Sequence, residues 1–404
     1  MRSKPSENSQ SDPLYLTPSQ LGSLKIPNRL VRAATSESMA HENGSVSEAL
    51  INFYTTLAKG EAGLLISGHM YIEPRGQYLP SQVGIHDDEY LPGLRALTEA
   101  IHEQDGRIFA ELSHAGSQCM IVNIQPIAPS VIPNAIFDRV PRMMSVDDIR
   151  FVIDAFGKAA RRAKIAGFDG IHIHGGNGYL LSEFNSPHAN RRDDEWGGDH
   201  KSRDKFILSV YKQIRNKVGD DFPVTARIGI TDAIDGGLEL SESIERIKQL
   251  SALGLDGVEV SYGVMRSYLQ NIRPYVAVGP KRAVRDKLFH RVFSQGSPEA
   301  YYRNFARSVK QHTDLPVILV GGIRRTETMH DLIESGDTDF IAMARPFIRE
   351  PDLPKQFREG RTGLVDCVSC NMCLMHEGKD ELRCWRKSWG RMFYHAYCRF
   401  WRDR

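Results

Sequence analysis

The sequence predicts an α/β fold, a single (β/α)8 TIM barrel followed by a short cysteine-containing C-terminal extension. Eight short runs rich in β-branched residues alternate with longer amphipathic stretches, an order typical of parallel strands joined by right-handed helical crossovers. Eight such units close naturally into a barrel. The alternative is an open doubly wound sheet, but no G-x-G-x-x-G motif follows the first run, so a Rossmann-type dinucleotide site is not supported.

The eight predicted strands are short, and most of them end in glycine, serine, histidine or arginine. They span residues 29–34, 62–68, 107–113, 169–174, 223–229, 256–262, 316–322 and 339–345. Helical stretches lie between them, and the one that begins at Ser145 carries the capping-box pattern with Asp148 three positions later. Ser47 begins an earlier helix with a partial match, because Leu50 stands where an acidic residue is preferred.

We expect three segments along the chain: a disordered leader over residues 1–13, the barrel over 14–360 and the cysteine-bearing extension over 361–404. The leader has one lysine and one arginine but no apolar run, so it does not predict a secretory signal. No window approaches 18 consecutive apolar residues, and we therefore expect no transmembrane segment.

Composition and charge are those of a globular protein of the cytoplasm. Hydrophobic residues make up 41% of the chain and charged residues 25%, and the formal charge of +2 gives no general attraction to nucleic acid or to membranes. Of the six cysteines, Cys119 lies in the predicted barrel and the others lie beyond residue 366. This distribution is not that of a secreted, disulfide-stabilised protein.

Candidate site residues lie where the strands end, because the active site of such a barrel is at the carboxyl ends of its strands. The polar residues and glycines at those ends are Ser36, Gly68, Glu111, Ser113, His174, Arg227, Ser261, Gly321, Gly322 and Arg345. Glycines after the seventh strand and an arginine after the eighth predict a phosphate site. Backbone N–H groups approach an anion closely at such glycines, and a guanidinium binds it through two parallel hydrogen bonds.

The segment that follows the fourth strand brings three hydrogen-bonding side chains within six positions: His174, Asn177 and Tyr179. An imidazole and a carboxamide three residues apart on a turn both direct N–H donors at one oxygen, and a phenol beyond them supplies a proton. The trio therefore predicts a site that makes a carbonyl group electron-poor. A polar loop without this role is the alternative.

Two further residues face the barrel interior in this prediction. Arg227 on the fifth strand has two interpretations, an ion pair with a strand carboxylate such as Glu259 or a cation beside an electron-rich ring. His172 shares a face with His174 but lies deeper, so we expect a core histidine there.

The motifs "HGGNGYLLSEFNSPHANRRDDEWGG" and "NRLVRAATSE" resemble those of the flavin-dependent old yellow enzyme family, and the resemblance runs from about Leu16 to about Arg358. It implies a (β/α)8 barrel that binds FMN and is reduced by NADH or NADPH. It also implies that His174 and Asn177 hold the carbonyl oxygen of the substrate and that Tyr179 is the proton donor. The implied cofactor-binding residues are Ala34, Thr35, Ser36 and Gly68 along the isoalloxazine, Glu111 and Arg227 at its pyrimidine edge, and Gly321, Gly322, Ala344 and Arg345 around the phosphate.

The reaction implied by the resemblance is the reduction of an activated C=C bond in an α,β-unsaturated carbonyl compound by a ping-pong mechanism. NAD(P)H reduces FMN and leaves, and the substrate then accepts a hydride at its β-carbon and a proton from Tyr179 at its α-carbon. One alternative is an enzyme like the dienoyl-CoA reductases that passes electrons through an iron–sulfur cluster. Another is a non-catalytic flavin redox sensor.

Two barrel positions depart from the family pattern. Ser36 stands where relatives carry Thr or Cys, and Glu111 stands where most carry Gln. An ionised glutamate accepts hydrogen bonds but donates none. We expect Glu111 to be ionised beside the flavin, with Arg227 offsetting part of its charge. A protonated glutamate and a glutamate paired with an arginine are the alternatives.

The extension contains the spacing C-x2-C-x2-C-x10-C, formed by Cys367, Cys370, Cys373 and Cys384. It resembles the cluster loop of the dienoyl-CoA reductases, although the gap between the second and third cysteines is one residue shorter. We expect these thiols to bind an iron–sulfur cluster or zinc. An aromatic stripe follows at near-helical spacing, formed by Trp385, Trp389, Phe393, Tyr397 and Phe400. It predicts a helix that docks on the barrel or on a second subunit, with a membrane surface as the alternative.

Overall fold

The computed structural model of the chain describes residues 12–134, 139–264 and 299–386. Most of the predicted leader lies outside these residues. The aromatic stripe beyond Trp385 lies outside them as well, and so does the homo-oligomer contact expected from it. No helix within the described ranges is long and apolar enough to cross a membrane.

Eight parallel strands form the barrel, and they confirm all eight predicted strands. They are β1 (Leu30–Arg32), β2 (Leu64–Ile66), β3 (Ile108–Ser113), β4 (Gly170–Gly175), β5 (Val224–Gly229), β6 (Gly257–Ser261), β7 (Val317–Leu319) and β8 (Phe340–Met343). Each strand pairs in parallel with its neighbours in sequence, and β8 pairs with β1 through Ile341 and Leu30. The ring is therefore closed, as the predicted fold class requires.

The register between neighbouring strands places ionisable residues at one level of the barrel. Arg227 on β5 lies opposite His174 on β4 and opposite Glu259 on β6. Glu111 on β3 lies opposite His172 on β4. These residues belong to four consecutive strands, and their side chains meet inside the barrel.

The helices lie on the outside of the barrel or cross its carboxyl end. They are α1 (Glu48–Lys59), α2 (Leu91–His102), α3 (Val146–Ile165), α4 (Leu180–Asn185), α5 (His200–Val218), α6 (Leu240–Ala252), α7 (Arg303–His312), α8 (Thr326–Glu334), α9 (Arg345–Arg349) and α10 (Leu353–Arg358). The predicted capping box is present at α3, where Ser145 Oγ accepts from the Asp148 N–H and Asp148 Oδ2 accepts from the Ser145 N–H.

A short antiparallel hairpin precedes the barrel, with strands Ser19–Leu21 and Leu24–Ile26. Leu21 and Ile26 are buried and belong to the same apolar cluster as Phe109 and Phe340, which point into the barrel. The hairpin therefore covers the end of the barrel opposite the predicted active site. Two short pairings lie outside the main ring, Met70–Tyr71 beside β3 and Ile127–Ala128 with Arg142–Met143.

The described part of the extension packs across the carboxyl end of the barrel. The N–H of Leu382 donates to Glu37 O at 2.9 Å, and the N–H of Gly378 donates to Ser38 Oγ at 3.0 Å. The N–H of Val365 donates to Arg324 O at 3.0 Å. These bonds join the extension to the loops that follow β1 and β7, although a domain boundary at residue 360 stays a prediction.

Replacing the cap residue Ser145 with alanine removes the hydroxyl that satisfies the Asp148 N–H. We expect Ser145→Ala to lower the free energy of unfolding by about 1 kcal/mol, as is typical of a lost N-cap. Chemical denaturation followed by circular dichroism measures the change. Ser308→Ala is the matched control, because the exposed Ser308 hydroxyl bonds a carbonyl within its own helix and caps nothing. Equal losses in the two variants would contradict the capping role.

Candidate active site

A cavity of about 320 Å³ opens at the carboxyl end of the barrel. Its wall contains twelve of the thirteen predicted catalytic and cofactor-binding residues: Ala34, Thr35, Ser36, Glu111, His174, Asn177, Tyr179, Arg227, Gly321, Gly322, Ala344 and Arg345. The exception is Gly68, whose N–H donates to Glu37 Oε1 at 2.7 Å and to the Tyr54 hydroxyl at 2.8 Å. A Cβ at Gly68 would lie 1.8 Å from the Glu37 carboxylate, so the glycine leaves room for this carboxylate.

The loop after β4 brings the predicted trio to one wall of the cavity. Asn177 has a φ of 58°, in the left-handed region that asparagine tolerates better than most residues. Its Oδ1 accepts from Ser261 Oγ at 3.3 Å, which leaves the two N–H donors of the carboxamide for a ligand. Tyr179 is the N-cap residue of α4, and its ring meets the His174 ring edge-on at a centroid distance of 4.6 Å.

His174 is held by a carboxylate below it. Its Nδ1 lies 2.9 Å from Glu111 Oε1, and the two side chains are almost fully buried. Nε2 of His174 has no hydrogen-bond partner among the described residues, although it is also buried. Burial by itself would raise the pKa of Glu111, but the neighbouring His174 and Arg227 outweigh burial and hold this pKa well below its usual range. This direction agrees with the ionised Glu111 expected from the sequence, which stays a prediction.

Arg227 makes the ion pair that was the first of the two interpretations left open by the sequence. Its Nη2 lies 2.5 Å from Glu259 Oε1, which is the expected ion pair with a strand carboxylate. Arg227 also lines the cavity, and its second interpretation, a cation beside an electron-rich ring, stays a prediction. His172 is buried below, with Nδ1 2.8 Å from Thr225 Oγ1, and burial lowers its pKa to about 3. It is the core histidine that the sequence predicted.

The predicted phosphate region lies between β7 and α9. Gly321 and Gly322 have φ values of 132° and 74°, and a Cβ at Gly322 would meet the Tyr301 ring at 2.3 Å. Nη1 of Arg345 donates to Asn371 Oδ1 at 2.5 Å. The arginine is therefore oriented by a residue of the extension.

Several residues of the wall were missed by the sequence reasoning. His69 follows Gly68 directly at the end of β2, so the strand-end rule could have found it. Burial lowers the pKa of His69 to about 4, which makes it neutral. Gln118 lies on a short turn after β3, and its amide donates to Asn177 O at 3.0 Å. The extension adds Asn371, Leu374, Glu377 and Leu382 to the wall.

Four cysteines of the extension, Cys367, Cys370, Cys373 and Cys384, line one small second cavity together with Arg345 and Trp385. In the part of the chain that the structure describes, no group of three or more His, Cys, Asp or Glu side chains is placed to hold a metal ion. Burial raises the pKa of Cys367, and it raises that of Cys373 to about 12. The metal site therefore stays a prediction.

Comparison with known proteins identifies the family. The model of the NADH:flavin oxidoreductase / NADH oxidase family matches residues 15–363. The chain belongs to this family. The match confirms the resemblance found in the sequence, and FMN is accordingly the cofactor that this fold binds.

Relatives of this family member include three curated proteins. The NADH oxidase of Thermoanaerobacter brockii is 34% identical over 89% of this chain and 53% of its own length. The 4,4'-dithiodibutanoate disulfide reductase of Rhodococcus erythropolis is 32% identical over 90% of this chain and 92% of its own length. The NADPH dehydrogenase of Bacillus licheniformis is 29% identical over 84% of this chain and 92% of its own length. The chain thus spans about half the length of the Thermoanaerobacter brockii protein, 53%, and 92% of the length of each of the other two.

Solved structures with the same fold include 2-naphthoyl-CoA reductase, with a TM-score of 0.81 and 25% identity over 91% of this chain and 56% of that one. The old yellow enzyme homologue of Zymomonas mobilis has a TM-score of 0.71 and 26% identity over 89% of this chain and 96% of that one. These likenesses agree with the closed eight-stranded barrel described above.

The residues present fit FMN. Among the described residues, the lining side chains include four buried polar atoms without a hydrogen-bond partner: His174 Nε2, Gln118 Oε1, Arg227 Nε and Asn371 Nδ2. A buried polar atom without a partner is costly, and a bound ligand with polar edges would satisfy it. Arg227 suits the electron-rich edge of the ring, and Arg345 beside the two glycines suits the phosphate.

Removing the guanidinium of Arg345 tests the predicted phosphate site. We expect Arg345→Ala to weaken FMN binding by roughly 10–100-fold, the scale of one lost charge-assisted hydrogen-bonding group. Fluorescence titration of the apoprotein with FMN measures the change. Arg349→Ala is the matched control, because Arg349 lies on the same helix α9 but pairs with Asp366 outside the large cavity. An equal loss in the control would refute the assignment.

Proposed function

We propose that this family member is an NAD(P)H-dependent ene-reductase that uses FMN to reduce the activated C=C bond of α,β-unsaturated carbonyl compounds. The observation that carries the proposal is that the side chains of His174, Asn177 and Tyr179 all line the cavity, with the rings of His174 and Tyr179 4.6 Å apart. A carbonyl oxygen between the first two groups would accept two hydrogen bonds, which draws electron density away from the conjugated C=C bond.

The chain's own residues divide the work in this proposal. His174 and Asn177 bind and polarise the carbonyl oxygen, and Tyr179 delivers a proton to the α-carbon. Arg227 and Arg345 hold the cofactor at its ring and phosphate ends. Bound FMN supplies the redox chemistry, taking a hydride from NAD(P)H and giving it to the substrate. A single cavity serves both half-reactions, which favours a ping-pong order.

Two alternatives each have a specific observation behind them. The likeness to 2-naphthoyl-CoA reductase and the four cysteines around one cavity favour an acyl-CoA reductase with an iron–sulfur cluster. The relative from Rhodococcus erythropolis, which matches over 92% of its length, favours reduction of an organic disulfide. Turnover with enones, acyl-CoA thioesters and dithiodicarboxylates distinguishes the three. The flavin absorbance tests the third alternative, a non-catalytic redox sensor. Failure of NAD(P)H to bleach this absorbance would favour the sensor.

The proposal also covers the partners, the cellular location and the domain organisation of the enzyme. We infer a small-molecule substrate and no nucleic-acid partner, since the net charge is close to neutral. We also infer a cytoplasmic location, which is supported by five free cysteine side chains in the described ranges. The three segments expected from the sequence, with the barrel over 14–360, are kept as part of this proposal.

Tyr179→Phe tests the proton donor. We expect reduction of the flavin by NAD(P)H to remain close to wild type and the reduction of an enone to slow by roughly 10²-fold or more, the scale of a lost general acid. Stopped-flow absorbance of the flavin measures the two half-reactions separately. Tyr78→Phe is the matched control, because the Tyr78 ring packs against Tyr179 at 5.6 Å and lies on the same wall. Equal slowing of both half-reactions in Tyr179→Phe would contradict the assignment.

Elemental analysis tests the cysteine site. If Cys367, Cys370, Cys373 and Cys384 form one metal site, Cys370→Ser should lose the metal, because thiolate sites of this kind need four ligands. The flavin should remain bound, since Cys370 does not line the large cavity. Cys119→Ser is the control, because Cys119 is buried in the barrel away from the other thiols. Metal at full stoichiometry in Cys370→Ser would show that the cysteines are not a single site.

A further inference from the structure

His69 lies just beyond β2 in the wall of the large cavity, and the roles assigned so far do not use it. Its ring is stacked with the His174 ring at a centroid distance of 5.9 Å, and it meets the Tyr179 ring edge-on at 5.3 Å. An imidazole beside these two residues affects a ligand differently according to which of its nitrogens carries a proton.

Gln82 fixes the position of the proton on His69. Oε1 of Gln82 accepts from the backbone N–H of Tyr78 at 2.6 Å, and Nε2 of Gln82 donates to the backbone carbonyl of His69 at 2.8 Å. These two bonds set the orientation of the amide, because a backbone N–H only donates and a backbone carbonyl only accepts. Nε2 of Gln82 also lies 2.7 Å from His69 Nδ1. Since an amide nitrogen donates, Nδ1 is the acceptor, and the ring proton of His69 is on Nε2.

Nε2 of His69 is available to a ligand in the cavity. This nitrogen has no hydrogen-bond partner among the described residues, and it is not fully enclosed by protein as Nε2 of His174 is. His69 as a whole is 8% exposed, and it lines the large cavity. Burial lowers the pKa of His69 to about 4, in agreement with a neutral ring. The cavity therefore contains an uncharged N–H donor that the protein does not use.

The rings of His69 and His174 serve different oxygens. The N–H bond of an imidazole lies in the plane of the ring, and the planes of these two stacked rings are inclined by only 27°. Because the centroids are 5.9 Å apart, one oxygen cannot lie in both planes at hydrogen-bonding distance from both rings. A donor on His69 therefore binds an oxygen other than the carbonyl oxygen assigned to His174 and Asn177.

Carbonyl oxygens at both ends of a C=C bond match this spacing. In a six-membered ring with carbonyl groups at positions 1 and 4, the two oxygens are about 5 Å apart, given standard C–C and C=O lengths. The Tyr179 ring contacts both histidine rings, at 4.6 and 5.3 Å, so a C=C bond between two such oxygens would lie beside the proton donor. An uncharged N–H donor also suits an uncharged carbonyl oxygen.

We propose that His69 is a specificity-determining residue, whose Nε2–H binds a second carbonyl oxygen and makes the site prefer alkenes that carry a carbonyl group at both ends of the C=C bond. The inference rests on the proposed function, because it takes the first carbonyl oxygen to lie between His174 and Asn177. It adds a substrate preference that the trio alone does not give. Gln82 is a positioning residue, since it acts through His69.

Binding of saturated ketones tests the proposal without turnover. Cyclohexane-1,4-dione and cyclohexanone differ by one carbonyl group, and neither has a C=C bond to reduce. We expect the oxidised wild-type holoenzyme to bind the dione more tightly by roughly 3–10-fold, the scale of one neutral hydrogen bond, in addition to the statistical factor from its two equivalent carbonyl groups. In His69→Phe only the statistical factor should remain, whereas His69→Gln keeps an N–H donor and should retain part of the preference. Titration followed by flavin absorbance measures the dissociation constants.

A wild-type preference no larger than the statistical factor overturns the proposal. His86→Phe is the matched control, because it makes the same change on a ring that packs against Tyr71 and Tyr90, outside the lining of the large cavity. We expect His86→Phe to keep the preference of the wild type. Loss of the preference in both variants would assign it to general packing rather than to the donor of His69, and would also overturn the proposal.

Nitrogen-15 NMR of the histidine-labelled holoenzyme locates the ring proton directly. At about pH 7 we expect His69 to be neutral with its proton on Nε2. His69→Gln assigns the signals. A proton on Nδ1 of His69 in the wild type contradicts the proposal, whatever the binding of ketones shows.

Turnover separates this inference from the proposed function. We expect His69→Phe to lower kcat/KM for cyclohex-2-ene-1,4-dione relative to cyclohex-2-enone by roughly 3–10-fold, mainly through KM, because the lost bond holds substrate and transition state alike. An unchanged ratio refutes the role of His69 and leaves the proposed function intact. Absence of turnover with both enones, alongside a preference for the saturated dione that depends on His69, refutes the proposed function and leaves the second oxygen site standing.

Discussion

The parallel pairing that joins β2 to β3 is the contact on which the rest of the structure depends. Through Leu65 with Ile108 and Ile66 with Phe109 it closes the ring that the other strands would leave open. The interior of a closed barrel must be filled by side chains. The phenyl group of Phe109 packs there with other apolar residues. Gly170 on β4 makes space for that ring, since a Cβ there would lie 2.5 Å from it. Closure then brings eight strand ends to one rim.

A polar layer lies directly above this apolar filling. Glu111 is two residues beyond Phe109 on the same face of β3, so one strand contributes to both layers. Charges held inside a closed barrel have little access to bulk water and are satisfied largely by one another. The register between β4, β5 and β6 meets this need by setting Arg227 between His174 and Glu259. The same register places His174 on the lining of the cavity. The strand register therefore determines both the pairing of the buried charges and the position of the site residues.

The sequence predicted the features that depend on local pattern. The eight strands follow from β-branched runs, and the trio on the β4 loop follows from its position at a strand end. The features that the sequence did not predict depend on contacts between segments that are distant along the chain. The period-two alternation gave the face of Glu111 but not its partner, so an arginine or the flavin was expected where the structure shows His174. Asn371 and Glu377 belong to the cysteine-bearing extension, and no local sequence pattern indicates that this segment covers the cavity.

The extension contacts Ser36, one of the two positions that depart from the family pattern. Ser36 bonds the carboxyl group of Glu377, and burial raises the pKa of that carboxyl to about 7. The wall beside Ser36 is therefore built by two segments that are about 340 residues apart, and its charge near neutral pH depends on a group outside the barrel. Asn371, between two of the cysteines, orients Arg345 in the wall of the same cavity, after β8, the strand that pairs with β1. Because Asn371 and Glu377 belong to one segment, a shift of the extension would alter the surroundings of Ser36 and of Arg345 at once.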